Sequence, residues 1–181
     1  MHSSTLLLAA AAGLAAAHPH HEHVARAATN TQLQTTFPKP SATSALAAAK
    51  TITAGSPFDG GMQQWDRRTN TCQGGPDVGR EAAVFILQDG ATLSNAIIGP
   101  NSAEGVRCLG ACTLNNVWWA DVCENAATFE QKSGTSYING GGAKGASGDV
   151  FLHNGAVSPH PHLPAHLPRS LVHRIGKLVL M

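Results

Sequence analysis

Ala91-Thr92-Leu93-Ser94-Asn95-Ala96-Ile97-Ile98 can be laid over Cys112-Thr113-Leu114-Asn115-Asn116-Val117-Trp118-Trp119 at an offset of 21 residues. The next copy, Ser136-Tyr137-Ile138-Asn139-Gly140, follows Thr113 to Val117 at an offset of 23. A second strand repeats in step. Gly105-Val106-Arg107-Cys108 is followed by Ala126-Ala127-Thr128-Phe129 and then by Asp149-Val150-Phe151-Leu152, again at offsets of 21 and 23. Short apolar strands broken by Gly and Asn, with no sustained helical period, recur once per coil of 20-odd residues. This is the pattern of a β-solenoid in which each coil buries its inward residues against the next. A leucine-rich repeat shares the period but would carry L-x-x-L-x-L in each unit, and that motif is absent. The pattern predicts an all-β chain, a right-handed parallel β-helix wound as a single-stranded solenoid from Thr51 to Gly155. Leu93, Ile97, Leu114, Val117 or Trp118, and Ile138 are expected to form inward rows. Asn95, Asn116 and Asn139 are expected to stack as an amide ladder at one corner.

Working outward, 181 residues with 43% hydrophobic content suffice for one domain with a buried core. Charged residues make up 13% of the chain and the formal net charge is +1, without a Lys/Arg block, so a nucleic-acid partner is not expected. Met1 to Thr5 precede the apolar run Leu6 to Leu14 and then Ala15-Ala16-Ala17, a secretory signal pattern that places cleavage after Ala17. The run is too short to span a bilayer, so a soluble, extracellular, monomeric protein without a membrane partner is expected. Residues 18–50 are expected to be a pro-segment or linker. It opens on a tract holding His18, His20, His21 and His23 and continues Thr/Ser/Pro/Ala-rich, with one helical turn in Ala45 to Ala49. Cys72, Cys108, Cys112 and Cys123 all lie beyond the signal, and an oxidising compartment favours two disulfides among the three possible pairings. Cys108-x3-Cys112 as half of a zinc site would need a second closely spaced pair with suitable histidines, which the sequence lacks.

The repeat register makes a chemical prediction. At an offset of 21, Glu104 and Asn125 sit one above the other on adjacent coils, about 4.8 Å apart, with Glu124 the preceding residue. Two carboxylates and an amide oxygen on an exposed corner suit a hard cation with flexible oxygen coordination, Ca²⁺ before Mg²⁺ or zinc.

Several segments then carry a resemblance. They are Phe58-Asp59-Gly60-Gly61-Met62, Ala83 through Leu93, Asn95-Ala96-Ile97-Ile98-Gly99, Glu104-Gly105-Val106-Arg107-Cys108, Asn116 through Ala126, and Gly140 through Ala146. In that order they resemble the fungal-type pectate lyases of polysaccharide lyase family three, over Thr51 to Gly155. The resemblance implies a Ca²⁺-dependent enzyme that cleaves polygalacturonate by β-elimination. The metal bridges protein carboxylates and the uronate carboxylate, and a Lys or Arg of depressed pKa removes the C5 proton. Carried across by position, the family's calcium-site acids fall on Glu104, Glu124 and Asn125.

The departures bear on activity. Asn125 stands where the family pattern has Asp, which removes one negative charge from the metal site. Asp149 stands where a basic residue is expected, an acid facing a polyanionic substrate. Beyond Asn154 the family continues into strands and a Gly-Lys-Leu-x-Arg segment bearing its catalytic Lys and Arg. Here Ser158 to Ser170 is Pro/His-rich and unsuited to interior strands, so residues 156–181 are expected to be an irregular tail, with Ser158 to Arg174 unstructured. Gly176-Lys177-Leu178-Val179 echoes the motif and makes Lys177 the candidate catalytic base, with Leu180 in the place of the Arg. The β-helix is therefore expected to be truncated or altered at its C-terminal end, with an uncapped edge after Gly155.

Of the remaining conspicuous residues, Lys144 is a candidate substrate-binding cation. Trp118 and Trp119 are expected to face opposite sides, one in the core and one exposed. Gly140 to Gly142 with Gly145 lack a P-loop pattern and read as a tight corner. The sequence thus points to a secreted pectate lyase, impaired by these departures. The alternative is a catalytically inactive secreted β-helix protein, or incomplete gene product, that keeps only calcium and pectate binding. A glycoside hydrolase would need a separate carboxylate pair, which the sequence does not offer.

Overall fold

The computed structural model describes residues 36–73 and 79–155 together with the strands at 173–174 and 177–180, all within one unit, Leu33–Met181. The signal at 1–17, the His tract and most of the Pro/His-rich tail lie outside the described residues. The chain alternates between two sheets. The first takes β1 (Thr43–Leu46), β3 (Pro57–Arg67), β5 (Thr92–Ile98), β7 (Thr113–Trp119) and β9 (Ser136–Ala143). The second takes β2 (Lys50–Ile52), β4 (Ala83–Leu87), β6 (Glu104–Cys108), β8 (Asn125–Phe129) and β10 (Asp149–His153). Every one of these neighbours pairs parallel, each coil resting on the one before, so the molecule is a right-handed parallel β-helix.

The offset of 21 holds between the third and fourth coils, where Leu93 pairs with Leu114 and Val106 with Ala127. The last coil corrects the expectation. Leu114 pairs with Ile138 and Ala127 with Phe151, an offset of 24 in both sheets rather than 23. Asn139 therefore stacks on Asn115, donating to its Oδ1 at 2.9 Å, and not on Asn116. Above Asn116 comes Gly140. Asn95 and Asn116 both have φ of 53°, and Gly140 has 69°, so the column holds residue types that tolerate the left-handed conformation. Asn116 Nδ2 donates to Asn95 Oδ1 at 2.9 Å, and Asn95 Nδ2 donates to Asp59 Oδ2 at 3.0 Å. Asp59 is the anionic foot of this short ladder. Its carboxyl is held below the usual range first by the Gly61 backbone N–H and then by Asn95.

The left-handed residue also overturns the simple alternation. A positive φ at Asn95 and Asn116 bends the strand, so Leu93, Ala96 and Ile98 all join the core, as do Leu114, Val117 and Trp119. Leu93, Leu114 and Ile138 form a fully buried inward row, each contributing about 1.5–3 kcal/mol by burial. Ile97 and Trp118, expected inward, are buried outside the core cluster. Ala45 and Leu46, expected within a helical turn, are strand: pairing of β1 with β3 overrides alanine's helical preference, and the solenoid starts ahead of Thr51.

Two further strands, β11 (His173–Arg174) and β12 (Lys177–Leu180), pair antiparallel with β9. This corrects two expectations. His173 and Arg174 are not irregular, and the first sheet's edge after β9 is paired by the chain itself, which satisfies backbone groups that an open edge would leave bare.

The cysteines form Cys72–Cys123 and Cys108–Cys112, and none is free among the described residues. The first ties the segment before β4 to the turn between β7 and β8, a separation of 51 residues. Loop-closure entropy then predicts a loss of about 4 kcal/mol for paired Cys72→Ser and Cys123→Ser substitution, against about 2 kcal/mol for opening Cys108–Cys112. Denaturant unfolding of the two double variants measures the order; the reverse order would show that strain or residual unfolded structure outweighs chain entropy.

Candidate metal and substrate site

The second sheet sets Glu104 of β6, Asn125 of β8 and Asp149 of β10 at successive paired positions. Asn125 Nδ2 donates to Glu104 Oε1 at 3.0 Å, and Thr128 Oγ1 donates to Glu104 Oε2 at 2.9 Å. Arg107 Nη2 lies 3.7 Å from Glu104 Oε1, while Arg107 Nη1 donates to Glu130 Oε1 at 3.2 Å. Glu104 is therefore not on an exposed corner, as its polarity suggested, but fully buried. A buried carboxylate persists because hydrogen bonds and a guanidinium offset its desolvation. Glu124 is half-buried beside Asn125, and its backbone N–H donates to Ala103 O at 3.0 Å. The column brings Glu104 and Asn125 together as the register required, with Glu124 alongside.

Sequence reasoning missed two participants and misplaced a third residue. Arg107 and Thr128 are themselves a stacked pair that reaches Glu104, and an offset of 21 from Arg107 would have found Thr128. Asp149 was placed one residue out of register because the last coil is 24 residues long; in the structure it stands directly over Asn125. The packing there is close. Gly148, just before Asp149, lies against the Glu124 backbone, and a Cβ built on it would fall 1.7 Å from Glu124 O.

Among the described residues no three His, Cys, Asp or Glu side chains stand close enough together to hold a metal as placed. The donor set nonetheless fits a hard cation. Its atoms are carboxylate and amide oxygens, carried by consecutive strands about 4.8 Å apart, and soft nitrogen or sulfur ligands are absent from the column.

The other candidates lie elsewhere. Lys177 is on β12 in the first sheet, paired with Asn139, whereas the acidic column belongs to the second sheet. Lys144 is exposed, with its Nζ 4.4 Å from the centroid of the Phe37 ring. Phe37 in turn packs edge-on against Trp118, centroids 5.4 Å apart, and Trp118 Nε1 donates to Asn116 Oδ1 at 2.7 Å. Both tryptophans are thus buried, Trp119 in the core and Trp118 beneath Phe37, where one had been expected exposed. Phe37→Ala should uncover the Trp118 indole, shifting its emission to longer wavelength and costing about 1–2 kcal/mol. Unchanged emission would show that Phe37 does not cover it in solution.

The family model described as "Pectate lyase" matches residues 34–160. The chain is 43% identical over 155 residues to "Pectate lyase E" of Emericella nidulans, covering 85% of this chain and 59% of the relative. It is 46% identical over 121 residues to "Probable pectate lyase G" of the same organism, 66% of this chain and 47% of that one. To "Probable pectate lyase D" of Neosartorya fischeri it is 48% identical over 103 residues, 57% of this chain and 42% of the relative. The chain thus spans between 42% and 59% of the length of these curated relatives. A parallel β-helix with this column of stacked oxygen donors, matched by that model over most of its length, belongs to the pectate lyase family.

Proposed function

We propose that this chain is a secreted pectate lyase of polysaccharide lyase family three, acting on polygalacturonate by calcium-assisted β-elimination to release unsaturated oligogalacturonides. The observation that carries the reading is the buried Glu104 carboxylate stacked on Asn125 within a pectate lyase β-helix. Glu104, Glu124 and Asn125 hold the ion. Bound there, Ca²⁺ supplies the charge that draws in a uronate carboxylate and makes its C5 proton more acidic. Arg107 and Thr128 orient the Glu104 carboxylate. Lys144 attracts the polyanion from an exposed position, and Lys177 is the candidate proton acceptor. The Leu6 to Leu14 run followed by Ala15-Ala16-Ala17 directs secretion. Among the described residues no helix is long and apolar enough to cross a membrane.

One observation favours the non-catalytic alternative, retained calcium and pectate binding with little turnover. Lys177 lies in the first sheet and the acids in the second, and the position stacked over Asn125 is an acid, Asp149. Migration of the full chain through a gel cast with polygalacturonate separates binding from chemistry. Calcium-dependent retardation abolished by a chelator supports the proposal. Unaltered migration with and without Ca²⁺ would defeat both readings.

A further inference from the structure

We infer that Trp118 and Lys144 form a second polyuronate-binding surface, on the outer face of the first sheet and independent of metal, which Phe37 covers in this structure. The ligand class rests on the pectate lyase reading above. The site does not, because Trp118 belongs to the first sheet and the acidic column to the second. Gln64, Ile97, Trp118 and Gly142 are successive paired positions of β3, β5, β7 and β9. Ile97 and Trp118 are buried yet stand outside the core cluster, so this row faces out of the solenoid. The Nε1 bond to Asn116 holds the indole in one orientation, and Gly142 puts no side chain at the paired position on the next coil.

The ring of Phe37 lies on that indole. Phe37-Pro38-Lys39-Pro40 leads into Ser41, whose N–H donates to Met62 O at 2.9 Å and whose Oγ donates to Gly61 O at 2.8 Å. Pro38 and Pro40 have no N–H to give a neighbouring strand, so the segment ahead of Ser41 is a strap rather than a rung of the ladder. The strap imitates a uronate. Phe37 sets C–H groups against the Trp118 indole, 5.4 Å between centroids, and offers its electron-rich face to Lys144 Nζ at 4.4 Å. A galacturonate residue brings the same two features in stronger form, a C–H face for the indole and a full carboxylate for the ammonium. Lys144 is exposed and Trp118 keeps only 3% of its surface, so the cation is already accessible and the aromatic becomes so when Phe37 lifts.

Electrophoresis of the full chain through gels cast with polygalacturonate, run in chelator so that no calcium contributes, tests this, with circular dichroism to verify that each variant is folded. The wild type should be retarded little. Phe37→Ala should lower the apparent dissociation constant about tenfold, and adding Lys144→Gln should return it to the wild-type value. Adding Lys132→Gln instead, the same charge change at another exposed lysine, should leave the gain in place. Phe37→Leu keeps apolar bulk without the ring; it should gain less, and it stands in should Phe37→Ala fail to fold. Polygalacturonate should return the emission of Phe37→Ala toward shorter wavelength, and a neutral galactan of the same length should not. No gain in either variant, or a gain that Lys144→Gln leaves intact, would overturn the site while leaving the calcium reading to its own test in the presence of Ca²⁺.

Discussion

Glu104→Ala is expected to cost about 3–5 kcal/mol of stability, the largest effect of any single side-chain removal in the column. The magnitude follows from what is left behind. Thr128 and Asn125 lose their acceptor, and Arg107, 5% exposed, loses a carboxylate beside its guanidinium. Glu104→Gln keeps the shape and one acceptor oxygen, so it should cost less while still removing the charge a metal needs. Urea unfolding of the two variants checks the pair. A loss below about 1 kcal/mol for Glu104→Ala would mean that the buried network is not holding the corner.

Gly141→Ala is expected to be comparably damaging, by about 3 kcal/mol or more, for a different reason. Gly141 has φ of 104°, and a Cβ there would lie 1.9 Å from Val117 O, its paired residue on β7. The backbone cannot give way without breaking the ladder that sets the 24-residue coil. Thermal unfolding measures the loss. A near-neutral result would show that the register of the last coil is softer than its stacking implies.

The repeat was legible in the sequence because its inward row is chemically monotonous. Leu93, Leu114 and Ile138 are interchangeable apolar residues at one depth, and two coils of equal length made the offset of 21 easy to see. The last coil was misread because Asn139 resembles Asn116 more than Gly140 does. Side-chain likeness suggested 23, whereas the backbone requirement at the corner is for positive φ, which Gly meets as well as Asn. That one-residue slip set Asp149 opposite Ala126 rather than Asn125. The stacking of Glu104 on Asn125 was readable from spacing; the burial of Glu104 was not, since it depends on Arg107 and Thr128 folding over it. Phe37 covering Trp118 joins segments distant in sequence, and nothing in the local pattern announces it.

Asn125 and Asp149, the two positions at which the sequence reading expected departures from the family pattern, are stacked on one another. Under the proposed function, a chain so arranged should hold calcium while lacking a base at Asp149, which places the demand for a proton acceptor on Lys177 or Lys144.

The direct measurement is the rise in ultraviolet absorbance from unsaturated uronate when the full chain is mixed with polygalacturonate at alkaline pH. It should be run with Ca²⁺, with chelator, and with Glu104→Gln in place of the wild type. The account predicts a slow rise with Ca²⁺ that vanishes in chelator and in Glu104→Gln. A rise that persists without calcium, or that Glu104→Gln leaves unchanged, would contradict it.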